Sequence, residues 1–383
     1  METTVEITAL AHGGDGIGRV EGQVYFVPGG LPGDVLRVKP TRQTKNAAWA
    51  EIVAVETAST DRRTIGDHEE QPSVAATWYH FAYPAQQEWK VRMLKDALQR
   101  IGGLECAVDW IDDPALRTGY RTRAEFHGDG VHLGFFAPNS HQIVDTPSCP
   151  LLHPKLNVAL KTLHRMDIKG SITVTVNPEG EEVLVWSKFT KRKLKAWFPL
   201  SNTPRDETAP SRFLFDGVPI VNGGFSQASL LLNRHLQREV HAMVRNAVSV
   251  LDLYCGNGNL SVTLPESVAV TGIDHNKAAV KAAWSMKRGD YITGDEKRMI
   301  KAIESGDFDT VVVDPPRSGA KSIMPALAKS HARAIVCVSC DPPTFARDLK
   351  TLKECGWQVE SAKAIDLFPY TPHVECVARL VRA

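Results

Sequence analysis

The first 105 residues of this 383-residue chain contain no cysteine, and the seven cysteines that follow show no regular spacing. A disulfide framework is thereby disfavoured, and free thiols in a reducing compartment are the expectation. Long apolar runs are also missing, since none approaches the roughly 18–20 residues of a membrane span. Net charge is nearly absent, with 45 Lys and Arg against 44 Asp and Glu. A polyanionic partner must then be met by local patches rather than by a global field. The opening METTVEITAL is acidic and lacks the charged-then-apolar pattern of a signal peptide, so the cytoplasm is the expected location. No internal repeat or low-complexity tract is visible. What remains is ordinary for a soluble globular protein: 43% hydrophobic and 23% charged residues, in a chain long enough for several domains.

Residues 1–58 have a β texture, with short alternating runs (TVEITAL, QVYFVPG, DVLRVKP, WAEIVAV) separated by glycine turns. So many short strands in so few residues predict a small barrel. Residues 59–84 are polar and irregular and read as a linker. Over 86–101, Trp89, Met93, Leu94, Ala97, Leu98 and Ile101 form one helical stripe, closed by Gly102 and Gly103. Strand texture returns over 105–210, with one helix near 153–166. Beyond 215, strands and helices alternate, which predicts a parallel sheet covered by helices. The expected segments are therefore a barrel (1–58), a linker (59–84), a central, mostly antiparallel α+β domain (85–212) and an α/β domain (213–383).

The run VSVLDLYCGNGNLSV is an apolar strand entering a glycine turn, with Asp252, Tyr254, Gly256 and Gly258 at its end. Gly256 and Gly258 let the backbone approach a ligand at the carboxyl edge of a first strand. A second strand, VAVTGID, ends on Asp274, placed to accept from ribose hydroxyls, and YITGD ends on Asp295. A dinucleotide fingerprint wants a third glycine where this chain has Ser261, so a pyrophosphate cofactor is disfavoured. The set matches an S-adenosylmethionine site of a Rossmann-like methyltransferase.

Two further strands end on reactive groups: FDTVVVDPPRSG on Asp314, and ARAIVCVSC on Cys340 followed by Asp341-Pro342-Pro343. Neither proline donates to a ladder, so Cys340 stands at the lip of a sheet. Glu375 lies beside the turn PYTPH, between the last two runs. A thiol, a carboxylate and a methyl donor in one crevice suit a poorly nucleophilic acceptor carbon. A thiolate adding to C6 of uracil makes C5 carbanion-like; after methylation a base removes the C5 proton and the thiol leaves. Cys340 fits the nucleophile and Glu375 the base.

These segments resemble the RNA uracil-C5 methyltransferase family. SCDPPTFARDL is similar to its nucleophile motif (usually Ser-Cys-Asn-Pro), DLFPYTPHVECVARL to its base motif, and VVVDPPRSG to its Asp-Pro-Pro-Arg segment. GGFSQAS resembles its Phe-Gln segment, which implies that Gln227 touches the donor. Residues 1–58 resemble the TRAM domain, an RNA-binding barrel of OB type. The resemblance implies catalytic roles for Cys340, Glu375 and Asp314. It implies S-adenosylmethionine contacts for Gln227, Asp252, Tyr254, Gly256, Gly258, Asp274, Asp295 and Asp314.

One departure matters. Many relatives hold an iron–sulfur cluster on a Cys-x(5)-Cys-x-x-Cys run plus a distant cysteine. Here Ser73 and Ala76 occupy the last two run positions, and Cys149 alone matches the distant ligand. With four thiolates needed, no cluster is expected, and Cys149, Cys255 and Cys337 are expected to be packing residues. For RNA, WSKFTKRKLKAWF places Lys188, Lys191, Arg192 and Lys193 among aromatics, a pattern for phosphate contact with base stacking, although a solvated hairpin face has the same pattern. Arg121, Arg123 and Arg317 complete the expected RNA contacts. The expected target is a uridine in structured RNA, extruded or in a loop; the TRAM domain leans toward 23S rRNA over the transfer-RNA T-loop, with a monomer and no membrane. An amino-methyltransferase using Asp-Pro-Pro, and a cofactor-free RNA-binding protein, are the alternatives.

Overall fold

The computed structural model describes residues 2–65, 73–138, 140–188, 192–206 and 209–382. Its contacts divide into two compact units, residues 1–93 with 368–373, and residues 94–367 with 374–383.

The first unit is built on a closed five-stranded barrel in the order Thr3–Leu10, Gly16–Val20, Gln23–Val27, Ala47–Thr57 and Val35–Gln43, whose last strand pairs back to the first. Alternation decides which residues face in: Val5, Ile7, Tyr25, Val27, Leu36, Val38, Ala48 and Ala50 fill the interior. The later described part of the stretch read as a linker packs into a core. Ala76, Trp78, Tyr79, Phe81 and Tyr83 are all buried, and Trp78, Phe81 and Ala85 form a second core with Leu10 and Leu31, on which Trp89 and Met93 pack. The polar composition of 59–84 hid five buried apolar positions there.

The helix expected over 86–101 spans Tyr83–Arg100. Leu94, Ala97 and Leu98 of its stripe are buried, whereas Ile101 lies past the helix end and is 40% exposed. Gly103 takes φ 60° and donates to Gln99 O, closing the last turn.

The second unit holds a six-stranded sheet in the order Ser201–Asn202, Val183–Ser187, Lys169–Val176, Arg123–Asp129, Leu133–Phe136 and Ile143–Asp145, with the helix Pro154–Leu163. All of its pairs are antiparallel except the first. Arg212–Phe215 and Val218–Val221 make a separate hairpin.

An eight-stranded sheet follows, in the order Asp290–Thr293, Ala269–Asp274, Ser249–Leu253, Thr310–Val313, Ala334–Ser339, Glu375–Arg382, Trp357–Ile365 and Asp109–Ile111. The first five strands are parallel. Every residue of Thr310–Val313 and Ala334–Ser339 is buried, as expected of central strands covered on both faces. Helices begin on designed caps: Ser229, Asn276, Asp295 and Asp341 each accept a backbone N–H three residues on. Glu375–Arg382 runs antiparallel to both neighbours, which brings its first residue to the edge where the parallel strands end.

Candidate active site

The carboxyl ends of the strands assemble the site. Ser339 pairs with Cys376, and the same register carried one residue further sets Cys340 opposite Glu375. The helix Pro342–Lys353 starts beyond Cys340, its first N–H groups capped by Asp341, whose Oδ1 accepts from Thr344 N at 2.9 Å.

Electrostatics tie the four groups together. Burial, then the Glu375 charge, pushes the Cys340 thiol up to about 11, while the neighbouring Arg317 guanidinium opposes this. Glu375 is 2% exposed. Burial and the neighbouring Asp314 hold its carboxyl well above the usual range, again opposed by Arg317. Asp314, though its surface stays partly open, is pushed up to about 7 by burial and by Asp274. Arg317, expected as an RNA contact, is exposed, and its charge also favours the thiolate of Cys340. The sequence carries no signal for that, because the proximity of 317 to 340 exists only in the folded sheet.

Next to this cluster lies the glycine turn. Gly258 has φ 78°, and a Cβ there would lie 2.9 Å from that of Val262, so glycine is required on both counts. Asn257 Nδ2 donates to Pro219 O at 2.9 Å, and Asn259 exchanges side-chain hydrogen bonds with Asn233 at 2.7 and 3.1 Å. These asparagines hold the turn and went unread in the sequence, although two Asn in CGNGN were the available signal. Asp274 accepts from Gly256 N at 3.1 Å and Asn276 N at 2.7 Å, which leaves lone pairs on both oxygens for ribose hydroxyls. Ser261, buried where a dinucleotide site has glycine, donates to Asp252 Oδ2 at 2.5 Å.

Asp252 Oδ1 is buried with no hydrogen-bond partner among the described residues. Burial pushes this carboxyl up to about 7, with Asp314 and Asp274 adding to the effect and Ser261 opposing it. A buried orphan acceptor beside a glycine cradle and a second acid fits a cationic, hydroxyl-bearing ligand such as S-adenosylmethionine. Gln227 is buried directly before the helix capped by Ser229. Tyr254 has φ 60° and donates its hydroxyl to Glu296 at 2.9 Å. Asp295 is exposed, and one carboxylate oxygen accepts from Arg298 N at 3.1 Å as a helix cap.

Three family models match the chain: tRNA (Uracil-5-)-methyltransferase over 296–383, TRAM domain over 2–53 and Methyltransferase small domain over 221–335. A relative from Agrobacterium fabrum, an uncharacterized RNA methyltransferase, is 30% identical over 98% of this chain and 99% of its own. The chain belongs to the RNA uracil-C5 methyltransferase family. A 23S rRNA (uracil(1939)-C(5))-methyltransferase of Chromohalobacter salexigens is 29% identical over 99% of this chain and 89% of that one. Among solved structures, the Pyrococcus abyssi tRNA (uracil-54, C5)-methyltransferase in complex with S-adenosyl-L-homocysteine matches with a TM-score of 0.77 and 25% identity, covering 100% of both chains.

The remaining family expectations fall as follows. Cys149 is fully buried, its backbone bracketed by Asn157 through bonds of 3.0 Å to N and O; Cys255 and Cys337 are buried as well. Arg123 of this uracil-C5 methyltransferase is half-buried on an inner strand of the six-stranded sheet, with Nη1 3.4 Å from Thr175 Oγ1 and 3.5 Å from Ser226 Oγ. Burial pushes its pKa down to about 10. Its guanidinium braces the segment leading to Gln227. Arg121 is half-buried, with Nε unpartnered among the described residues. Lys188 and Lys193 are exposed; Lys191 lies outside the described residues, and Arg192 begins the short helix Arg192–Trp197.

Proposed function

We propose that this S-adenosylmethionine-dependent RNA uracil-C5 methyltransferase acts on 23S rRNA through a covalent adduct between Cys340 and C6 of the target uridine. The observation that supports the covalent reading is the strand register, which sets Cys340 opposite the buried Glu375 at the sheet edge where Asp314 follows its own strand. An amino-methyltransferase has no use for a thiol opposite a buried acid.

The residues act in order. Arg317 favours the Cys340 thiolate, which adds to C6 while the uracil C4 carbonyl takes the electron pair. Asp252, Asp274, Gln227 and the glycine turn would hold S-adenosylmethionine, which when bound would supply an electrophilic methyl to C5, with S-adenosylhomocysteine as leaving group. Glu375, as carboxylate, takes the C5 proton; the freed pair re-forms the C5–C6 double bond and expels the Cys340 thiolate. The strongly raised Glu375 pKa matches this task, because a buried carboxylate with a raised pKa is a competent base for a carbon acid. Asp314 supports the raised value by its charge.

The TRAM barrel and the Chromohalobacter relative favour ribosomal RNA. Lys188 and Lys193 stay exposed for phosphate contact. We assign no iron–sulfur cluster, since serine and alanine at 73 and 76 supply no thiolate, and we place the enzyme in the cytoplasm as a monomer. Mapping 5-methyluridine in ribosomal and transfer RNA from a deletion strain tests the target: loss of one 23S rRNA site is expected, and loss confined to the transfer-RNA T-loop overturns the assignment.

A further inference from the structure

Residues 368–373, which join the last two strands of the large sheet, belong to the first unit. Two fully buried polar side chains, one turn apart on the helix Tyr83–Arg100, hold this segment. Gln86 donates from Nε2 to Phe81 O at 2.7 Å and to Trp78 O at 3.2 Å, and its Oε1 accepts from Tyr370 N at 3.0 Å. Lys90 donates from Nζ to Phe368 O at 3.1 Å, with the Trp78 ring 6.0 Å away. Trp78 N in turn donates to Tyr370 O at 3.0 Å.

Tyr370 itself has φ 60°, in the left-handed region. A bulky residue keeps that conformation where its surroundings over-determine it. They do so here: both backbone polar groups of Tyr370 are bonded, and its ring packs against Tyr79 at 5.0 Å and Tyr83 at 6.2 Å.

A lysine with no exposed surface is a poor way to stabilise a fold, because removing its charge from water costs more than burying methionine of similar length. What lysine adds is a directed donor, and glutamine adds a donor and an acceptor on one rigid amide. One Lys90 donor reaches Phe368 O and the Gln86 oxygen accepts from Tyr370 N, while the Gln86 amide nitrogen holds Trp78 O and Phe81 O. The chain reaches Glu375 two residues after this segment ends. Cys340 is delivered by a separate stretch, the strand Ala334–Ser339.

We propose that Gln86 and Lys90 are positioning residues for the proton-removal step: by fixing the backbone of 368–370 they set the origin from which Glu375 extends. The inference rests on the covalent reading above. Its signature is a defect confined to elimination, with addition by Cys340 spared, because a base misplaced by a fraction of an ångström loses the C5 proton while the thiol keeps its path.

The test uses the full chain with RNA carrying the target uridine or 5-fluorouridine. Wild type must first trap the fluorinated RNA as a conjugate stable to denaturing electrophoresis, and C340A must not; failure here overturns the covalent reading itself. With that reading secure, K90M and Q86L are expected to bind S-adenosylmethionine as wild type does. They should form the fluorinated conjugate within about twofold of the wild-type rate. Turnover on ordinary RNA should fall about ten- to a hundredfold, with a methylated conjugate accumulating. K90R, which keeps the donor, should recover part of the turnover. Unchanged turnover in both variants overturns the proposal, as does a parallel fall in trapping and turnover. If K90M does not fold, Q86L and K90R are read by the same criteria.

Discussion

Arg317 is the group that lowers the Cys340 pKa against burial and two acids, and removing its charge has a calculable effect. A hydrogen bond to a charged group contributes about 1.5–3 kcal/mol. Arg317 is exposed, so solvent screening takes its effect to the lower end, about 1.4 kcal/mol, equivalent to about one pKa unit. With a thiol near 11, the thiolate is a minor species at neutral pH and its fraction rises about tenfold per pH unit. R317Q should therefore trap 5-fluorouridine RNA about tenfold more slowly than wild type at pH 8 and saturating RNA. The assay is a quenched time course on a denaturing gel from pH 6.5 to pH 9, roughly the span in which RNA survives and the thiol stays largely protonated. Both proteins should show rates rising with pH at the same slope, and R317Q at one unit higher pH should match wild type. A contact that serves RNA affinity alone would change half-saturation and leave the saturated rate untouched. A saturated rate equal to wild type, or a deficit that raising the pH does not repair, refutes the thiolate argument.

E375Q should deliver its methyl and then stall, so conjugate with ordinary RNA should accumulate on denaturing gels; normal turnover would remove Glu375 from the base role. C340A should yield neither conjugate nor product in the same assay. In D252N, folding stability should change in its pH dependence. The Asp252 carboxyl ionises near 3.8 ordinarily and near 7 here, so the unfolded chain binds fewer protons between those values and wild-type stability falls as pH rises through that window. Asparagine does not titrate, so the Tm of ligand-free D252N relative to wild type should increase from pH 5 to pH 8, and a gap independent of pH counts against the buried-carboxyl account. Anaerobically purified protein should contain no stoichiometric iron or acid-labile sulfide; finding both would show that ligands other than residues 73 and 76 complete a cluster.

The strand ends were readable because chemistry and punctuation coincide there. Asp314 and Cys340 each close a buried apolar run, Asp314 meeting two prolines at once and Cys340 meeting them after Asp341, so their place at a sheet edge follows from local rules alone. The barrel was readable for a similar reason, with glycine turns separating strands that alternate cleanly. Burial of polar groups was not readable. Gln86 and Lys90 sit among Gln87 and Glu88 on a helix whose sequence gives each the look of a solvated residue; their partners lie some 280 positions away, Phe368 and Tyr370. The side-chain partners of Arg123, Thr175 and Ser226, were likewise not legible, because they lie 52 and 103 positions away. Asp295 shows the converse, an acid at a ligand-facing strand end that the next helix uses as its cap.

Synthesis from the N-terminus gives the return of residues 368–373 into the first unit a temporal meaning. The barrel strands, the helix and Trp78 leave the ribosome early, yet the acceptor that Trp78 N bonds, the Tyr370 carbonyl, is made almost last. Domains made first usually fold first. Here the Lys90 bond to Phe368 O and the Gln86 oxygen's bond from Tyr370 N must wait until nearly the whole chain exists. A nascent enzyme therefore completes its first unit only as the segment leading to its base arrives, and fragments ending before residue 368 should be caught by proteases at the exposed helix.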